Sequence, residues 1–140
     1  MNLSTLRGAI ASKVSEVSGF QESTHSPDYF GRTQNTIAHR GFTVGLSSSV
    51  AMDERQRRTI GVYLNTPVQV TFAFSLRPLD IYPTDYDLAL DAEVSVINKV
   101  LEAYTGPNDF TIRYLSSTRE VTDSQEYCII TVDFEALHTI

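Results

Sequence analysis

The sequence predicts an α+β domain: a mostly antiparallel sheet of about four to five strands with two main helices packed on it, in the order α-β-β-(β)-α-β-β. Two observations carry the helices, since apolar residues recur at spacings of three and four near the N-terminus and again past the middle of the chain. A third carries the sheet. The remaining apolar residues alternate with polar ones in short runs, and runs joined in sequence by modest loops pair antiparallel. The 140 residues make one domain, 1–140, with a single core that buries roughly two-thirds of the unfolded surface.

Leu3, Leu6, Ile10, Val14 and Val17 define the first helix, from Asn2 to Ser18, with Asn2 or Ser4 as its cap and Gly19 as its left-handed stop. Phe20 to Ala38 is polar and aperiodic, a long loop of a kind that is usually functional or ordered by a partner, with Phe20, Tyr29 and Phe30 available to pin it. From His39, Phe42, Val44 and Leu46 alternate with polar or small residues and read as a strand; residues 50–58 follow as a charged loop. Ile60, Val62 and Leu64 give the next strand signal, and Val68, Val70, Phe72, Phe74 and Leu76 form a strongly apolar strand face. Pro67 between them lacks an amide donor, which predicts a bulge or short turn.

Arg77 to Thr84 reads as a loop, and Thr84 or Asp85 as the cap of a second helix. Its predicted buried stripe is Leu90, Val94, Ile97, Leu101 and Tyr104, and Gly106 with Pro107 ends it. Phe110, Ile112 and Tyr114 predict a strand, residues 116–126 a polar hairpin loop, and Cys128, Ile130, Val132 and Phe134 the closing strand.

Composition narrows the function. No window is long and apolar enough for a membrane span, and the N-terminus lacks a secretory pattern. The single cysteine, Cys128, excludes an intramolecular disulfide. A formal charge of −6 disfavours a general grip on nucleic-acid phosphate. That charge is uneven: residues 1–79 hold eight Lys or Arg against five acids, giving +3, and residues 80–140 hold three against twelve, giving −9. The subunit is electrostatically two-sided if the two halves stay apart in space.

No motif names a reaction. His25, His39 and His138 lack the spacing of a metal site, and Cys128 shares its strand face with apolar neighbours, as a core thiol does. Asp80, Asp85, Asp87, Asp91 and Glu93 crowd the start of the second helix, where acids gain from the helix dipole; a shared divalent cation is the other reading. Arg55, Arg57 and Arg58 form either a solvated loop or a docking loop for an acidic partner. A small enzyme or ligand-binding domain would place its pocket between sheet and helices, lined by Tyr63, His39 and Cys128.

In order and pattern the chain resembles the tail terminator, or tail completion, proteins of long-tailed bacteriophages. The resemblance runs over nearly the full length: the opening helix Leu3 to Val17, the strand HRGFTVGL, the Arg55 to Arg58 loop, the long strand VQVTFAFSLRP, the helix YDLALDAEVSVINKVLEAY and the closing IITVDFEALH. It implies a structural, non-enzymatic virion protein of the tail and neck region, made in the host cytoplasm and needing no cofactor or metal. Its partners would be its own copies in a homohexameric ring, the major tail tube protein and a head completion or connector protein. The ring would end tube polymerisation and let genomic DNA pass an acidic lumen without specific binding, with no membrane involved. Asp28, Tyr29, Phe30, Arg32, Arg55, Arg57 and Arg58 are the expected partner or subunit contacts. Another neck or head–tail joining protein shares nearly all these features.

Overall fold

A computed structural model describes residues 3–23, 39–51, 63–76, 82–104, 110–122 and 126–139. In chain order these form α1 (Leu3–Ser15), β1 (Gln21–Glu22), β2 (Gly41–Leu46), β3 (Val50–Ala51), β4 (Tyr63–Ser75), α2 (Tyr82–Leu101), β5 (Phe110–Val121) and β6 (Tyr127–Thr139), with a 3-10 turn at Glu102–Tyr104. The expected α+β class is observed. Neighbouring strands run β1-β2-β4-β6-β5, and β3 pairs with β4 beyond the end of β2. Among the described residues only β1 and β2 pair parallel, and the other pairings are antiparallel.

The core lies between one face of the sheet and the two helices. Val68, Val70, Phe72 and Phe74 of β4 and Cys128, Ile130, Val132 and Phe134 of β6 are buried on that face, as their alternation predicts. From α1 come Leu6, Ile10 and Val14, all fully buried. Phe20 seals the same end, its ring 5.1 Å from Phe72 in an edge-on contact. Phe20 to Ser23 is thus ordered, with β1 inside it, where the sequence suggests only loop; residues 24–38 lie outside the described residues.

α1 ends at Ser15, earlier than expected, and the chain turns through Gly19 at φ 80°. A side chain there would meet the guanidinium end of Arg40, whose Nη1 lies 2.6 Å from the position of a Cβ and would have to shift, but it is the positive φ that favours glycine. Arg40 itself sits at φ 62°, rare outside glycine. It is held by its amide donating to the Ala73 carbonyl (2.7 Å), its carbonyl accepting from Gln21, and its guanidinium lying over the Phe74 ring.

Four expectations need correction. α2 starts at Tyr82, with Pro83 in its first turn, so neither Thr84 nor Asp85 is the residue preceding it. Its inner face is Asp85, Ala89, Glu93, Val96, Val100 and Ala103, whereas Val94 is 55% exposed and Leu90, Ile97 and Leu101 are only half-buried. The helix is turned by about one residue, some 100°, and the ion pair with half-exposed Arg119 favours the inward position of Glu93. Pro67 makes no break: β4 pairs with β6 in unshifted register from Tyr63 to Ser75. The irregularity falls on the other side, where Ser47 to Ser49 pass opposite Thr66 and Pro67, so the missing amide faces a gap between β2 and β3.

The hairpin loop is also shorter than expected. β5 continues through residues 116–121, and its true β-bulge lies between Tyr114 and Ser116. His138 is 1% exposed within β6.

Candidate functional site

Because both helices cover one face, the other face of the sheet is the broad surface to which no described element is applied. Outward residues of β4, β6 and β5 meet there in cross-strand rows. Gln69 donates to Asp133 Oδ1 (3.3 Å), Ser116 donates to Asp133 Oδ2 (3.3 Å), and the Thr71 and Thr131 hydroxyls lie 3.5 Å apart. Glu135 accepts from Asn65 on one side and Arg113 on the other. Two open depressions mark this side. One of about 200 Å³ is lined by Gly45, Ser47, Pro67, Gln69 and Asp133, and another of about 390 Å³ by Thr111, Arg113, Glu135 and Leu137. Neither gathers a nucleophile with a base. A polar, largely flat face of this kind suits contact with a macromolecule better than turnover of a small substrate.

Asp28, Tyr29, Phe30, Arg32, Arg55, Arg57 and Arg58 lie outside the described residues. Tyr63, His39 and Cys128 do not meet in one pocket. Tyr63 pairs with Thr139 at one end of β4, and Phe74, which pairs with Cys128, is eleven residues along, about 36 Å at strand rise. His39 packs its ring on Phe74 at 4.6 Å, and its Nδ1 accepts from the Ser75 amide (2.9 Å). Burial and then Arg40 hold its pKa below the usual range, against a smaller opposing pull from Asp85. Burial pushes the Cys128 thiol up, away from nucleophilic reactivity; nearby Arg119 works against that shift and Glu93 with it.

The acidic group at α2 divides. Asp87 and Asp91 are exposed, as a solvated face requires, whereas Asp85 and Glu93 are buried. Glu93 accepts from Arg119 Nη2 at 2.6 Å, tying α2 to β5, and its Oε1 is buried without a hydrogen-bond partner. That bond, above all, raises the Arg119 pKa. Among the described residues no three His, Cys, Asp or Glu side chains group as a metal site. A second polar cluster joins the segment before β3 to β4 and β6: the buried Thr66 hydroxyl lies 2.7 Å from Ser49 Oγ and 2.7 Å from His138 Nε2.

Among the described strands, β1 to β4 come from residues 1–79 and occupy one side of the strand order, and β6 and β5 come from residues 80–140 and occupy the other, while α1 packs against α2 across the two halves. Arg32, Arg55, Arg57, Arg58 and Arg77, most of the cations of the first half, lie outside the described residues. The outward polar rows were not singled out from sequence. Their signal was present in the polar partners of each alternating run, but which residues stand side by side depends on register.

No protein-family model and no curated protein matches the chain. Among solved structures, it is similar to a chain of the virion of a native gene transfer agent particle, at 13% identity and a TM-score of 0.54, covering 94% of this chain and 84% of that one. A protein from Akkermansia muciniphila gives 12% identity and a TM-score of 0.38 over 99% and 74% of the two chains, too low to bear on fold or role. Among the described residues no helix is long and apolar enough to cross a membrane. At 13% identity, what the chain shares with the virion component is its fold.

Proposed function

We propose that this chain is a structural component of a phage-type virion and acts there as a tail terminator. In that role copies of the subunit form a ring on the last ring of the tail tube, end its polymerisation and present the opposite annular face to a head connector. The observation that carries the reading is the likeness of fold to a virion chain over 94% of the molecule, which agrees with the family resemblance of the sequence. Two physical features support it. A closed ring needs two different complementary patches on each subunit, and the +3 and −9 halves of the sequence would supply opposite signs. A sixfold ring would carry −36 from six chains of −6 each, so DNA would traverse the lumen with little phosphate attraction. No catalytic step or cofactor enters this role.

Electron microscopy of particles made without the gene tests it. Tails of uncontrolled length with unattached heads are expected. Tails of normal, uniform length that fail only to join heads would replace length control with a head–tail joining role, and intact infectious particles would remove the virion role altogether.

A further inference from the structure

The two edges of the sheet are built differently. At one edge β1 is only two residues long, and beyond it the Val44 carbonyl of β2 accepts from Arg7 Nε (3.1 Å), so a side chain occupies part of the open ladder. Short strands and edge-covering side chains are common protections against pairing with another chain. The other edge is β5, twelve residues long and paired only with β6 among the described strands. It contains neither proline nor lysine. Thr111, Arg113, Tyr114, Leu115, Ser116, Thr118, Arg119 and Glu120 are all exposed, on both faces of the strand, with Leu115 at 48%. Among the described residues, therefore, no strand pairs with this edge.

What fits such an edge is legible in its own sequence, once the bulge is taken into account. Tyr114 and Arg119 point to the helix side, the first against Phe134 and the second to Glu93; Arg113 and Ser116 point to the outer side, toward Glu135 and Asp133. Residues at odd separation share a face only because Leu115 is an extra residue in the strand. An antiparallel two-fold pairing centred on Ser117 then sets residues of the same face opposite one another. Arg113 meets Glu120 on the outer side, Tyr114 meets Arg119 on the helix side, Ile112 meets Val121, and Leu115 with Ser116 faces Thr118. Each pair occurs twice. Opposite charges, a guanidinium over a phenol ring and two apolar side chains are the cross-strand pairs that stabilise a sheet. In an unbulged strand the same register would place Arg113 and Glu120 on opposite faces.

We infer that β5 is a self-complementary edge through which two copies of this chain pair, antiparallel and two-fold, into one continuous sheet. The occupant is a second copy because the strand's charges complement themselves in that register. The contact does not rest on the virion reading; it concerns the free subunit. One strand pair covers less than the roughly 800 Å² per partner of a standard interface, so dissociation in the micromolar range is expected.

Sedimentation equilibrium of the purified full chain, from about 1 to 100 μM, tests this. The wild type is expected to be a reversible dimer. Glu120→Arg weakens it by about tenfold or more, since the substitution acts twice across the axis. Arg113→Glu with Glu120→Arg restores it, and circular dichroism confirms that every variant is folded. A spin label at Thr118 of each copy should report a short distance across the interface. A wild type that stays monomeric throughout overturns the proposal. So does a dimer indifferent to Glu120→Arg, or a ring that loses stability with Glu120→Arg and is not restored by the double substitution.

Discussion

Arg119→Ala is expected to destabilise the fold more than its half-exposed position suggests, because the cost arises on α2. Glu93 is 4% exposed, its Oε2 accepts from Arg119 at 2.6 Å, and its Oε1 already has no hydrogen-bond partner. Removing the cation leaves a carboxylate in the core with no compensating charge. Breaking a buried pair in this way costs about 3–5 kcal/mol. Arg119 is 40% exposed, so truncation also admits water to one carboxylate oxygen, and the expected loss falls to about 2–3 kcal/mol. Unfolding entropy near 2.1 cal/mol/K per residue makes 1 kcal/mol about 3.5 °C for a chain of this length, so Tm should drop by about 7–10 °C. Urea unfolding followed by circular dichroism gives the free energy, and Arg119→Leu and Glu93→Leu, singly and together, complete a double-mutant cycle. The double replacement should recover much of the loss, since an apolar pair of similar volume needs no partner. A loss below about 0.5 kcal/mol for Arg119→Ala, or a coupling energy near zero, would refute the argument that this pair favours the rotated position of α2.

Thr66→Val removes the hydroxyl lying between Ser49 and His138, leaves a buried imidazole nitrogen without that bond, and should cost about 1–3 kcal/mol in urea unfolding. Gly19→Ala should cost about 1 kcal/mol or more, measured the same way, because alanine must hold a positive φ and displace Arg40. For Cys128 the folded chain holds the thiol protonated to higher pH than the unfolded chain does. The unfolded state therefore loses its proton first, so this contribution is complete below about pH 8.5 and stability declines as pH rises above it. Cys128→Ala should remove that alkaline slope, read as urea midpoints from pH 7 to 10, and the native thiol should react with a disulfide reagent far more slowly than the unfolded one.

Class and element order were readable because they depend on local periodicity. Val68 to Phe74 and Cys128 to Phe134 alternate, and a sheet covered by helices on one face must bury those alternate positions. Leu6, Ile10 and Val14 likewise fix which side of α1 faces inward. Periodicity failed where a polar group is buried with a distant partner. The stripe of α2 was read from Leu90, Val94 and Ile97, yet Glu93 and Asp85 face the core, and Arg119, which pairs with Glu93, lies 26 residues away in sequence. Pro67 misled for a related reason. A missing donor matters only if a strand lies opposite it, and the gap between β2 and β3 is a property of register. The candidate surface shows the same limit: Asn65, Arg113 and Glu135 form one row through pairings that no single segment contains.

The bulge at Leu115 gives this limit a functional side. Within the subunit it is an irregularity in the β5–β6 ladder, shifting register by one residue between Tyr114 and Ser116. A bulge at a sheet edge commonly turns the strand away from further pairing. Here it also brings Arg113 and Glu120, seven residues apart, onto one face, and Tyr114 and Arg119, five apart, onto the other. Without the extra residue these pairs would straddle the sheet, and the edge would offer a second copy no matched charges. Deleting Leu115 therefore separates the two effects. If the bulge only protects, the straightened edge should associate more strongly than the wild type; if it sets the self-complementary register, the straightened strand should lose specific two-fold pairing, and Arg113→Glu with Glu120→Arg should no longer matter in sedimentation.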